Sequence, residues 1–254
     1  MSQMVALIAL GLASGLLIGC IGIGGVILVP ALVFIGGIPI QLAIPAALLA
    51  YIVSAVVAIV IYAREKSIHW NMAAWLCIAA APAAFAGAWA VKNSDARFLE
   101  VLIGVLTTVS GINSLRPAQH VDSAKRLIAT PLLLLIGAGT GFTSSLSGTG
   151  GPLVLVPILM AFNLPVLTVI GLGQAIQLPI AVIGSLGNYL YGELDWYLGS
   201  VLALALTIGS WQGARLAHIV PRHLLRRIVS VVLILIGAFI FANVTARLLG
   251  WQQL

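Results

Sequence analysis

Two glycine clusters offer most of the chemistry available to this sequence. Gly19–Gly25 reads GCIGIGG and Ser145–Gly151 reads SLSGTGG. Each stands directly before a short apolar run that contains a proline, 24–36 in one case and 150–163 in the other. Consecutive glycines disfavour helix, because an ordered glycine gives up more backbone freedom than other residues. Each cluster is therefore expected to break the chain between a full helix and a half-length one. A lone glycine would have the plainer role of letting two helices approach, so it is the clustering that argues for a break. A helix that starts within an apolar medium bares its first N–H groups and the positive end of its dipole. Two such starts would form a site for an anion, approached closely because glycine has no side chain. Gly22, Gly24 and Gly25 in the first cluster, and Gly148, Gly150 and Gly151 in the second, are the expected backbone contacts.

The polar side chains near these clusters are neutral. Tyr51 and Gln177 occupy corresponding positions 126 residues apart, and Gln174 lies one helical turn before Gln177. Amides on one helix face could donate to anion oxygens without placing a full charge in lipid. Ser144, Ser145, Ser147 and Thr149 line the second glycine stretch, with Ser54, Ser110, Asn113 and Thr143 as further candidates. The plainer role of any one of them is a hydrogen bond between helices. No Asp, Glu, Lys, Arg or His falls in the middle of an apolar run, whereas a cation carrier ordinarily needs a buried carboxylate. No nucleophile stands with a base, and none of the four histidines joins a Cys or an acid in a ligand motif. His69 and His120 fall in loops, and His218 and His223 flank Pro221, all read as interfacial. Neither enzymatic activity, nor a metal, nor a cofactor is expected. Arg215 either snorkels to the headgroups or stands at a cavity mouth and draws anions in.

The elements that must position these residues follow from composition. Of 254 residues 61% are apolar and 7% are charged, and mean hydropathy is +1.17. A soluble domain carries about 25% charged residues, and a small protein is mostly surface, so lipid is the expected solvent. The net charge of +6 is spread singly or in pairs between apolar runs, which is no nucleic-acid footprint. Cys20 and Cys77 fall inside apolar runs and read as buried hydrophobes. The N-terminus lacks a basic start and its apolar run continues, so it reads as a retained span. A crossing helix needs about 20 apolar residues. Full-length candidates are 4–20, 42–62, 72–91, 98–115, 127–146, 167–190, 197–217 and 225–248, with 24–36 and 150–163 as the short pieces.

The chain repeats itself at an offset of 126 residues. Gly11 answers Gly137, Gly15 answers Gly141, Pro39 answers Pro165, Trp70 answers Trp196, and Gly87–Ala88 answers Gly213–Ala214. Trp70 and Trp196 read as interface anchors. If the short pieces only dip into the membrane, six basic residues lie on each side. If they cross, Arg64, Lys66, Arg116, Lys125, Arg126, Arg215, Arg222, Arg226 and Arg227 collect on one side, against Lys92, Arg97 and Arg247. Nine against three fits the positive-inside rule. The expected fold is thus an all-α polytopic membrane protein of two inverted repeats, each of about five helical segments with a Gly-rich break before a half-length helix. Its parts are a first membrane repeat (1–116), a loop (117–126) and a second membrane repeat (127–254). Inverted repeats with Gly-interrupted short segments at matching positions point to a transport site near the midplane.

The stretches GIGGVILVP and SGTGGPLVLVP resemble the two signatures of the TauE/SafE sulfite exporter family, also called the 4-toluene sulfonate uptake permease family. Ile68–Trp70 and Leu194–Trp196 sit where that family tends to carry an Asp-Trp element, with His69 replacing the acid in the first case. GAW at Gly87 and GAR at Gly213 also fit. The resemblance implies transport of sulfite, sulfoacetate or a related sulfur-containing anion across the bacterial inner membrane.

The resulting expectation is a secondary carrier, working outward. The glycine breaks bind the anion, Ser147, Thr149, Gln174 and Gln177 orient it, and Tyr51 is a further substrate-binding candidate. An anion channel of the same architecture, a carrier of a small carboxylate and a non-transporting scaffold stay open as alternatives. The expected partners are a small inorganic or organic anion and the lipid bilayer, with a homodimer allowed and no nucleic acid. The anion could bring its own proton, as bisulfite does, or the membrane potential could drive its exit.

Overall fold

The computed structural model describes residues 2–22, 25–115, 128–162 and 164–216, and helical residues 231, 234, 235, 237–239, 241 and 242. Gly24, the loop 117–126, His120, His218 and His223, and most of the span 225–248 lie outside the described residues. Among the described residues the chain folds into α1 (Ser2–Ile21), α2 (Gly25–Phe34), α3 (Ile40–Arg64), α4 (Trp70–Asn93), α5 (Ala96–Leu115), α6 (Thr130–Ser147), α7 (Pro152–Ala161), α8 (Val166–Tyr191) and α9 (Trp196–Leu216). Each apolar run up to Leu216 became a helix, and the two short runs became helices of 10 residues each. At 1.5 Å per residue these are about 15 Å long, half of a hydrocarbon core.

Local chemistry sets the boundaries. α1 stops at Gly22, with φ of 80°, and α6 stops at Gly148, with φ of 69°. These residues lie 126 apart, and each turns the chain left-handed where a side chain would be strained. Thr149 N–H closes the α6 end on the Ser144 carbonyl at 3.1 Å. α7 begins with Pro152 in the first helical position, where a missing N–H costs nothing. α3 and α8 each follow a proline in the same extended conformation, Pro39 (ψ 138°) and Pro165 (ψ 134°).

Glycines fix how the long helices pack. Gly11 lies against Ala205, Gly15 against Leu206, and Gly19 against Ser210 and Ala214, so α1 runs parallel to α9. Gly137 lies against Leu76, Gly141 against Ala80, and Gly87 against Phe142, so α4 runs parallel to α6. Cys77 reaches the Ala175 carbonyl and Gly187 meets Phe85 and Ala88, which makes α4 parallel to α8. The short turn at 65–69 reverses the chain between α3 and α4, so α3 and α8 run antiparallel, with Leu48 near Gly184. Most packed pairs have a counterpart: α1 with α9 and α6 with α4, α3 with α9 and α8 with α4, α1 with α2 and α6 with α7. Phe34 stacks edge-on against Phe239 at 5.2 Å, and Gly237 abuts Thr108, so the described residues near the C-terminus pack on α2 and α5.

Large apolar side chains remain exposed along the outside, among them Val53, Val56, Ile78, Leu135, Leu204 and Ile208. Three helices, Ile40–Arg64, Trp70–Asn93 and Leu167–Tyr191, are long and apolar enough to cross a membrane. An outer face of this kind is solvated by lipid, and the protein is a polytopic membrane protein.

Candidate functional site

The two glycine breaks meet. Gly25, the first residue of α2, packs so closely on the second break that a methyl group on it would lie 2.5 Å from the Thr149 carbonyl oxygen and 3.0 Å from Tyr51 Oη. Tyr51 is mid-helix in α3 and donates its hydroxyl to the Gly25 carbonyl at 3.0 Å. Its ring covers Gly150, which also faces Gln177. Gly148 abuts Val29 of α2 and Ile44 of α3. Gly151, with φ of 111°, sits over Ile176, Gln177 and Ile180 of α8. From α8 the Gln174 amide reaches back to the first break and donates to the Ile18 carbonyl at 2.9 Å, between Gly22 and Pro152. The described candidates Gly22, Gly25, Tyr51, Ser147, Gly148, Thr149, Gly150, Gly151, Gln174 and Gln177 are all buried.

The hydrogen bonds decide which groups remain available. Ser147 Oγ donates to the Thr143 carbonyl at 2.7 Å and pairs with Thr149 Oγ1 at 2.9 Å. Gln174 differs from the sequence expectation in one respect. One of its two N–H groups is held by the Ile18 carbonyl, which also accepts from Gly22 N–H at 2.8 Å, so that donor serves the end of α1. Its Oε1 has no partner, and neither do the hydroxyls of Ser144 and Ser145 one turn before the second break. Gln177 makes no side-chain hydrogen bond among the described residues and is 1% exposed.

Three buried side chains went unrecognised in the sequence. Tyr62 donates to the Gly19 carbonyl at 2.9 Å, and Asn188 donates to the Gly184 carbonyl at 2.8 Å. They lie 126 residues apart, so the repeat offset that paired Tyr51 with Gln177 could have found them. Glu100, 7% exposed, lines a shallow recess with Val29, Pro30, Phe34 and Ile103. It lies near the start of α5, away from the middle of an apolar run.

The electrostatic balance follows. The carbonyl end of α1 is neutralised by Gln174 and Tyr62, and the Gly25 carbonyl by Tyr51. The N-terminal ends of α2 and α7 face this region as positive dipole ends. No group of three or more His, Cys, Asp or Glu residues able to hold a metal occurs among the described residues. Arg215 lies exposed at the end of α9, stacked over the Trp211 ring at 4.1 Å. Ser54 and Thr143 bond to carbonyls of their own helices, and the side chains of Ser110 and Asn113 lie outside the described residues.

The family model for the sulfite exporter TauE/SafE matches residues 7–240. A probable membrane transporter protein of Methanocaldococcus jannaschii is 29% identical over 92% of this chain and 93% of its own length. The probable membrane transporter protein YunE of Bacillus subtilis is 25% identical, over 92% and 95% respectively. A probable membrane transporter protein of Xylella fastidiosa is 24% identical, over 93% and 94%. No solved structure matches the chain. With its buried meeting of two broken segments and a family match spanning nearly its whole length, the chain belongs to the TauE/SafE sulfite exporter family of membrane transporters.

Proposed function

We propose that the protein is a secondary carrier that moves a small sulfur-containing oxyanion or organosulfonate out across the bacterial inner membrane. The observation that carries this reading is the contact of Gly25 with Thr149 under Tyr51. It brings the starts of α2 and α7, with Gly25, Gly150 and Gly151, to one buried place, where backbone N–H groups favour negative charge. Gln177 adds an amide beside Gly150. Residues 1–116 and 127–254 are the two inverted repeats, and they rock against each other around this place. The antiparallel course of α3 and α8 supports inversion, because a two-fold axis in the membrane plane turns a crossing helix upside down. Burial of every described candidate residue supports a carrier in an occluded state over an open channel.

Counterflow in proteoliposomes tests the proposal. Vesicles preloaded with sulfite should accumulate labelled sulfite transiently, with uptake that saturates. Flux without counterflow or saturation would make it a channel. Carboxylates moving while sulfite and organosulfonates stay behind would remove the sulfur-anion assignment.

A further inference from the structure

Gln174 is fully buried, and its amide oxygen is unused. Nε2 donates to the Ile18 carbonyl, and Oε1 has no partner. The orientation is fixed by its neighbour, because a flipped amide would press Oε1 against the Ile18 carbonyl oxygen. The unused atom is therefore an acceptor. A buried acceptor without a donor is costly, and such atoms in native proteins ordinarily await one. The amide lies where both breaks converge: a methyl group on Gly22 would be 3.4 Å from Gln174 Nε2 and 3.4 Å from Cβ of Pro152, the first residue of α7. Gln177, one turn further along α8, lies beside Gly150.

We propose that Gln174 Oε1 accepts the O–H of a monoprotonated oxyanion, so that the substrate brings its own proton through the membrane. The inference rests on the glycine breaks being the substrate site, as proposed above. An oxyanion without a proton, or an organosulfonate, offers acceptors alone. Its oxygens would meet Oε1 lone pair to lone pair in a medium that screens the repulsion poorly. A hydrogen oxyanion offers one donor for Oε1, and its other oxygens accept from Gln177 and from glycine N–H groups. The proton stays on the anion throughout, and one negative charge crosses with it. Proton-linked transport then needs no titratable side chain at the site, and none of the candidate residues there is an acid, a histidine or a lysine.

The test compares ions in proteoliposomes. Hydrogen sulfite and hydrogen selenite carry a proton. Methanesulfonate has the same single charge and three sulfonate oxygens but no O–H. In the wild-type protein, sulfite uptake at fixed total concentration should rise as pH falls, in step with the monoprotonated fraction. Methanesulfonate should move at least about tenfold more slowly, since a site built for a hydroxyl rejects an analogue lacking it. Gln174→Met removes the acceptor at similar length, together with the donor to the Ile18 carbonyl. Whatever it costs all anions alike, it should slow the two protonated anions by about tenfold or more relative to methanesulfonate. Wild-type protein that carries methanesulfonate as fast as hydrogen sulfite, or sulfite uptake that follows the dianion as pH rises, would overturn the inference and leave the anion carrier standing. Absence of any anion counterflow would overturn both. Because the ion and pH comparisons use the wild-type protein, they decide the matter even if Gln174→Met fails to fold.

Discussion

The Tyr51 hydroxyl holds the carbonyl of Gly25 at the point where the chain re-enters helix. Tyr51→Phe keeps the ring over Gly150 and removes the side-chain donor to that carbonyl. A loss of about 1 kcal/mol is expected, read as a lower melting temperature in detergent together with slower sulfite counterflow. Gly25→Ala acts from the other side. Its methyl group would enter the space of the Thr149 carbonyl, and overpacking of this kind costs about 1–3 kcal/mol. The check is transport by protein selected for a folded elution profile. Gly25→Ala with wild-type stability and transport would mean that the breaks do not touch as described. Of these partners, Tyr51 and Gln177 were legible through their common offset. The spent donor of Gln174 was not, because its partner Ile18 lies 156 residues away.

At the scale of elements, α6 offers an internal comparison. Gly139 and Gly141 lie two residues apart on one helix. Gly139 faces open space, whereas a methyl group on Gly141 would lie 2.7 Å from Ala80 Cα. Gly139→Ala should stabilise by up to about 1 kcal/mol, the helix preference of alanine over glycine. Gly141→Ala should destabilise, by about 1–3 kcal/mol. Thermal unfolding of the two variants side by side checks the opposite signs. Helix existence and the half-length of α2 and α7 were readable from apolar run length, Gly22 and Gly148, and Pro39 and Pro165. Which glycines are breaks and which are contacts was clear only for the clusters. A single glycine looks the same in sequence whether it faces a backbone or lipid.

For the whole molecule, inversion makes a geometric prediction. Lys66, after α3, and Glu193, after α8, are exposed and occupy corresponding loops. Lys66→Cys and Glu193→Cys should react with a membrane-impermeant thiol reagent from opposite sides of the membrane, in protein with Cys20 and Cys77 replaced by alanine. Reaction from the same side would make the halves parallel. The single negative charge proposed for the cargo predicts a voltage response. An anion leaving an interior-negative vesicle gains about 2.3 kcal/mol per charge per 100 mV. Efflux at clamped potential should therefore accelerate as the interior becomes more negative, and rates indifferent to potential would show compensating charge movement.

Composition, run length and the 126-residue offset determined on their own that this chain lives in lipid, repeats itself, and interrupts two helices at matching positions. These are local or periodic properties, and each can be read along the chain at a fixed spacing. The tertiary structure alone decided that the two interruptions touch. It also decided that Tyr51, Tyr62 and Gln174 donate to carbonyls of the first one, and that an acceptor on Gln174 is left over. Hydrogen-bond partners depend on distances between segments far apart in the chain, and no spacing along the sequence encodes them.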